Sequence, residues 1–351
     1  MNRILASILA AALTLSTGCR KAPVTSSEII STAEQIVSTD GRGTHETDEI
    51  PDEQTQQTGF KVSGTKLLDA NGNEFIMRGI NHPHSWFTAQ DDTALEAIAA
   101  TGANTVRIVC GSGQQYNKDS VESLNKLTDK CKELEMIAIL EVHDVTGKDD
   151  TSLLETAADY WIEVKEALIG KENYVILNIA NEWVGNWDGQ KWCDGYTSVI
   201  PRLREAGIKN TIIVDAAGWG QYGQSVTDYG EQVFAADPDA NTMFSVHMYG
   251  TAGKNKATIA RNLKLSTDKG LCMIVGEFGW NHSDGDVDEE YILEYCNENS
   301  VGWSWKGNGG GVEYLDLADE WDGSSLSDWG ETVVNSDLGL KKTSVKCSIF
   351  D

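Results

Sequence analysis

Positive charge is scarce in this chain. Its 351 residues carry 28 lysines and arginines against 54 aspartates and glutamates, a formal net charge of -26. No basic patch is apparent, which argues against nucleic acid as a partner, because phosphates need cations along the contact. The same excess repels polyanions and suits a neutral substrate outside the cell. Metal signatures are missing too. There is no His-Glu-x-x-His pattern, the 6 histidines are scattered, and the cysteine spacing matches no zinc knuckle. No metal and no cofactor is expected. The apolar run near the start, Ile4 to Leu15, is too short and badly flanked to span a membrane.

With Arg3 before it and small residues after it, that run reads as an export signal over residues 1–18. The cysteine after Ser16-Thr17-Gly18 resembles a bacterial lipoprotein processing site. That implies Cys19 as the acylated N-terminus of a tethered, non-integral protein. Ser16 stands where leucine is usual, with Leu15 one step back, so an ordinary cleaved signal is the alternative. The expected location is the cell surface or outer membrane, or the medium. Residues 19–58, rich in Ser, Thr, Glu, Asp and Gln, bury too little apolar surface to repay ordering and read as a flexible stalk. Residues 59–335 suit one large domain and a monomer. Residues 336–351 form a tail with no evident repeat or carbohydrate-binding module. Of the 7 cysteines, those other than Cys19 are open to disulfide pairing, while Cys110 and Cys272 lie in apolar strands as buried thiols would.

Periodicity then sets the fold class. Leu67 to Ala70 and Glu74 to Met77 flank Asn71-Gly72, a hairpin signal, and such a hairpin could plug a barrel floor. Short apolar segments follow near Ile76–Ile80, Thr105–Val109, Ile137–Val142, Val175–Ile179, Ile212–Val214, Met243–Val246, Met273–Val275 and Val301–Trp305. Helical patterns lie between them: Thr93–Ala100, Ser120–Leu134, Leu153–Leu168, Tyr196–Glu205, Val226–Phe234, Ala257–Thr267 and Glu289–Asn297. The alternation predicts an α/β protein, a (β/α)8 TIM barrel with a small N-terminal β-hairpin.

The polar residues of these units share an address. Asn81 and His82 end the first; Glu141, His143 and Asp144 the third; Asn181 and Glu182 the fourth. Asp215 ends the fifth, His247 and Tyr249 the sixth, Glu277 the seventh. In a barrel those ends share one face. Glu182 and Glu277 each close an apolar run, and two carboxylates in unlike environments are what glycosidic bond cleavage needs.

Asn181-Glu182, within Ile179-Ala-Asn-Glu-Trp-Val-Gly-Asn-Trp187, resembles the acid/base signature of glycoside hydrolase family 5 in clan A, and Gly276-Glu277-Phe278-Gly279 its nucleophile signature. The wider pattern resembles the bacterial β-mannanase branch. It runs through Arg78-Gly-Ile-Asn-His82, Gly102 to Val109, Glu141 to Gly147, Val214 to Gln221, Ser245 to Tyr249 and Trp303 to Asn308. These segments follow in order across nearly the whole domain.

The resemblance implies a retaining double displacement in β-1,4-mannan or manno-oligosaccharides, by endo action. Glu277 would be the nucleophile and Glu182 the acid/base. Arg107 would hydrogen-bond the nucleophile, Asn181 would donate to the 2-hydroxyl, and His247 with Tyr249 would sit beside the nucleophile. His143 is expected at the acid/base or the sugar. Trp303 or Trp305, with Trp305 preferred, would stack under the sugar before the cleaved bond. His82 and Trp183 are expected to line or support the groove. A family 5 endoglucanase shares most of these residues and stays open as an alternative, as does a non-catalytic carbohydrate-binding barrel.

Overall fold

The computed structural model describes residues 59–299, 301–306 and 315–351, with residues 303–306 as backbone only. The expected leader and stalk, residues 1–58, lie outside the described residues.

Two short strands open the chain, β1 (Lys61–Ser63) and β2 (Lys66–Leu68), paired antiparallel around Gly64. The expected hairpin is therefore displaced. The turn at Asn71-Gly72 forms, but beyond it only a single bridge joins Leu68 to Glu74. Asp69 decides this: its Oδ1 accepts from the N–H groups of Asn71 and Asn73, both at 2.9 Å, and winds the turn too tightly for a ladder.

Strands and helices then alternate: β3 (Arg78–His82), α1 (Asp91–Ala100), β4 (Thr105–Cys110), α2 (Val121–Glu133), β5 (Ile137–Val142), α3 (Thr151–Glu163), β6 (Val175–Asn178) and α4 (Gly189–Glu205). After them come β7 (Ile212–Asp215), α5 (Gly223–Ala235), β8 (Thr242–Met248), α6 (Lys256–Thr267) and β9 (Met273–Phe278). A two-residue pair, β10 (Asn281–His282) and β11 (Gly285–Asp286), precedes α7 (Glu289–Glu298), β12 (Gly302–Lys306), α8 (Asp328–Asn335) and α9 (Leu340–Thr343). Strands β3 to β9 and β12 close into one parallel barrel, β12 pairing with both β3 and β9. This is the expected (β/α)8 fold.

The helices face the barrel with stripes of helical period. In α2, Leu124, Leu127, Thr128 and Cys131 are buried, and Ser120 caps the start by accepting from Ser123 N. In α3 the stripe is Leu154, Ala157, Ala158 and Trp161, under an Asp150 cap. Helix α4 starts well before the expected Tyr196. Asp188 caps it, and Trp192 and Cys193 are already buried. Gly189 and Gly195 had masked the pattern; at Gly195 a Cβ would lie 2.2 Å from the Trp183 ring.

The floor is sealed at the N-terminal strand ends. Asn241, just before β8, accepts from Val62 N and donates to Phe60 O, both at 2.9 Å, so the first hairpin is fastened under the barrel. The last residues pack there as well. Leu340 and Cys347 are buried, Asn104 Nδ2 donates to Val345 O at 2.8 Å, and Ser348 Oγ donates to Asp69. The cysteines beyond Cys19 are all free and buried. No helix among the described residues is long and apolar enough to cross a membrane.

A buried ionic chain ties the start of α1 to the β4–α2 loop. His82 Nε2 lies 2.8 Å from Asp91 Oδ1, His84 Nδ1 2.9 Å from the same oxygen, and His84 Nε2 3.0 Å from Asp119 Oδ1. Burial alone would lower the His84 pKa, but Asp119 and Asp91 outweigh it and raise it from 6.5 to about 9. The stability His84 contributes is therefore complete below 6.5 and lost as pH rises through about 9. We expect the difference in thermal midpoint between the native protein and His84→Gln to be largest near pH 6 and to shrink toward pH 10. A difference that stays constant across that range would mean His84 carries no charge in the folded state.

Candidate active site

Glu182 lies four residues beyond β6 and holds a left-handed backbone, φ 48°. That is a strained position for a residue with a Cβ, held here by the fold around it. Its N–H donates to Asp215 Oδ2 at 3.1 Å, and its Oε1 sits 2.7 Å from His247 Nδ1. Glu277 lies within β9. Its Oε1 accepts from Arg107 Nη1 at 3.0 Å and its Oε2 from Tyr249 Oη at 2.7 Å. A register shift between Val246 and His247 leaves Gly276 unpaired and sets Glu277 directly opposite His247. One oxygen of each glutamate and a ring nitrogen of His247 all lie within 4.8 Å of one another.

The charges around the pair are unequal. Arg107, fully enclosed on β4, reaches Glu277 at 3.0 Å, Asp215 at 3.4 Å and Glu141 at 3.7 Å. It also donates to Asn178 Oδ1 at 2.8 Å and Asn181 Oδ1 at 2.7 Å. Burial would lower its pKa, but Glu141, Asp215 and Glu277 raise it further. His247 follows the same logic: burial works against its charge, Glu277 and Asp215 overcome that, and its pKa rises to about 10. It is an imidazolium at neutral pH, with Nε2 3.5 Å from Asp215. Burial, then Glu277 and Glu182, push the Tyr249 phenol well up, so it stays a donor. Glu277 is thus bound by an arginine and a tyrosine, whereas Glu182 is bound by a histidine.

Glu182 opens onto a cleft of about 430 Å³, which it lines with His143, Thr146, Asn181, Trp219, Gln221, Tyr249, His282, Ser283 and Asp284; Tyr249 in that wall is the residue that donates to Glu277. His143, the residue after β5, lines the cleft with Nδ1 2.9 Å from Glu141 Oε1. Asn181 Nδ2 donates to Thr146 Oγ1 at 2.9 Å. Trp219, 49% exposed, takes a left-handed φ of 57° and lays its ring across Gly147, where a Cβ would lie 2.1 Å from it.

Most expected residues converge here: Glu182, Glu277, Arg107, Asn181, His143, His247 and Tyr249. His247 differs in detail, for its short contact is to Glu182 and its distance to Glu277 is 3.9 Å. Of these, Glu182, Asn181, His143 and Tyr249 line the cleft, and Glu277, Arg107 and His247 are bonded to them from within; two further expected residues lie apart from this group. His82 is fully enclosed on Asp91, and Trp183 is fully buried against Tyr196 with Nε1 donating to Asp150 O. Trp183 faces inward because the chain turns left-handed at both Glu182 and Val184, aiming its side chain at Gly195 of α4. The backbone of Trp303 and Trp305 lies on β12, paired with Arg78 and Ile80; their side chains lie outside the described residues.

Asn178, Gln221 and Asp284 belong to the assembly without being expected in the site, and Asp215, expected only as a polar strand end, bonds Glu182 N. For Asn178 a signal existed: an amide ending the apolar run Val175-Ile176-Leu177 has to find buried partners. No local signal marks Gln221 or Asp284. Glu182, His247 and Glu277 could in principle offer ligands to a cation. His247 Nδ1 and Glu182 Oε1 lie 2.7 Å apart, a hydrogen-bond distance.

Two carboxylates this close at the C-terminal mouth of a parallel barrel define a glycoside hydrolase. The chain belongs to glycoside hydrolase family 5: residues 68–309 match the family model described as Cellulase (glycosyl hydrolase family 5). It is 52% identical over 295 residues to a mannan endo-1,4-beta-mannosidase of Salipaludibacillus agaradhaerens, covering 83% of this chain and 96% of that one. It is also similar to the beta-mannanase from Thermomonospora fusca, with a TM-score of 0.79 and 41% identity over 84% of this chain and 99% of that one. A mannotriose complex of that mannanase matches with a TM-score of 0.78 and 40% identity, covering 84% and 99%.

Proposed function

We propose that the chain is a retaining endo-β-1,4-mannanase, with Glu277 as nucleophile and Glu182 as acid/base. The observation that carries the mechanism is the approach of the two carboxylates to within 4.8 Å. Retaining enzymes hold their carboxyl groups about 5 Å apart, inverting ones roughly 6.5 Å or more, to admit a water. The unlike partners support the division of labour. Arg107 and Tyr249 keep Glu277 ionised and aimed. Glu182 Oε1 lies on His247 while its carboxyl lines the cleft, where a leaving oxygen can reach it.

In the first step a Glu277 oxygen bonds to the anomeric carbon. The bond to the leaving oxygen breaks, and the Glu182 proton passes to that oxygen. In the second step Glu182 takes a proton from water. The hydroxyl bonds to the anomeric carbon and the ester bond to Glu277 breaks, restoring both carboxyls.

Mannan is the substrate best supported, because a relative so named is 52% identical along nearly its whole length, and a structure 40% identical is titled as a mannotriose complex. The test compares pure mannan, glucomannan and carboxymethylcellulose. Both mannans should be cut to short oligosaccharides with a rapid fall in viscosity. Good turnover of the cellulose derivative with neither mannan cut would replace the reading with an endoglucanase. The reading includes export and attachment through Cys19, supported by the leader sequence. Palmitate should label the native protein and not Cys19→Ser; equal labelling would refute it.

A further inference from the structure

The β10–β11 turn carries a carboxylate with an unusual load. Asp284 Oδ1 accepts from Gly250 N at 3.0 Å and lies 2.7 Å from His282 Nδ1. Its Oδ2 accepts from Thr251 N at 2.9 Å, Thr251 Oγ1 at 2.8 Å and Gln221 Nε2 at 3.1 Å. Donors from the loops after β7, β8 and β9 thus meet on one side chain. The loops also touch backbone to backbone: a Cβ on Gly250 would lie 2.4 Å from Gly285 N. Burial works against ionisation here, but the donors from His282, Thr251 and Gln221 hold the Asp284 carboxyl down at about 2.

An ionised carboxylate only accepts, so the hydrogen of the His282 ring must sit on Nδ1. In the neutral ring Nε2 is then an acceptor on the opposite edge. The ring also stacks on Tyr249, with centroids 4.5 Å apart and planes at 30°, and Tyr249 donates to Glu277. His282 borders the cleft with Glu182, Trp219 and Gln221.

Barrel order decides which half of the groove this is. A chain passing between Glu182 and Glu277 runs over β7 and β8 on one side and over β12, β3, β4 and β5 on the other. The leaving sugar departs on the side of the acid. The β7 loop is bonded to the segment after Glu182, Gly218 N donating to Val184 O at 2.8 Å. The tryptophans expected under the sugar before the bond lie on β12, on the other side of β9 from β7 and β8.

We propose that His282 binds the leaving sugar, its Nε2 accepting from a hydroxyl of that sugar or of an incoming acceptor, and that Asp284 is the residue that positions it. This rests on the mechanistic reading above and adds to it a binding element for the sugar beyond the cleaved bond.

The test compares two substrates. Mannohexaose places hydroxylated sugars on both sides of the bond. An aryl β-mannotrioside puts only a phenol on the leaving side. His282→Ala should lower kcat/KM on mannohexaose about tenfold, the worth of one hydrogen bond at the upper end, and at least about fivefold less on the aryl substrate. His282→Gln, which keeps a carbonyl acceptor, should recover part of the loss, and Asp284→Asn should reproduce the selective loss. Equal losses on the two substrates, or no loss on mannohexaose, would overturn the proposal. If the Asp284 variant does not fold, as judged by its thermal midpoint, the two His282 variants carry the comparison. If the native enzyme prefers cello-oligosaccharides, the mannan reading fails. The same ratio, taken with cellohexaose and an aryl cellotrioside, then still tests His282.

Discussion

Glu277→Ala should lower kcat on mannan by on the order of 10⁵-fold, because no covalent intermediate can form without the carboxylate. The variant should still fold. Its neighbours Arg107 and Tyr249 keep other contacts, since Arg107 retains Asn178, Asn181 and Asp215. The decisive readout is chemical rescue. Azide is small enough to occupy the vacated carboxylate space and attack from the same face. With an activated aryl mannoside, Glu277→Ala should therefore yield an α-mannosyl azide, a single inversion. Rescue giving the β-azide, or a variant retaining more than a few per cent of native activity, would remove Glu277 from the nucleophile's role.

Glu182→Ala should behave differently on different leaving groups. On mannan the departing sugar oxygen needs its proton, and kcat should fall on the order of 10³-fold. A nitrophenolate needs none, so with an aryl mannoside the first step should be largely spared and the second slowed. Then kcat and KM fall together, a burst of phenol appears, and the glycosyl-enzyme accumulates. Azide should speed that second step and give the β-azide by two inversions. Losses of similar size on mannan and aryl mannoside, without a burst, would show that Glu182 does not act as the acid. The two variants together separate the roles that the bonding pattern suggests: arginine and tyrosine on Glu277, an imidazolium on Glu182.

Much of this is legible in the sequence alone. Each strand has a short apolar run and each helix a stripe, and both patterns are written by neighbours in the chain. The expected strands from Thr105 to Met273 fall within a few residues of the observed ones. Errors gathered where glycines interrupt a pattern, as at the start of α4, or where one side chain rewinds a turn, as Asp69 does. The candidate site was legible in its members and less so in its wiring. Trp183 follows Glu182 directly and was expected near the groove, yet two left-handed residues send it into the core.

The sequence by itself determined the barrel and the pair of glutamates at strand ends, because hydrophobic period and strand-terminal position are local properties. Only the tertiary structure decided which charge touches which: Arg107 shared among Glu277, Asp215 and Glu141, His247 turned toward Glu182, Asp284 binding three loops. Hydrogen bonds and ion pairs change over fractions of an ångström between residues far apart in the chain. A one-residue bulge at Gly276 or a left-handed turn at Glu182 settles such distances, and no local pattern announces either.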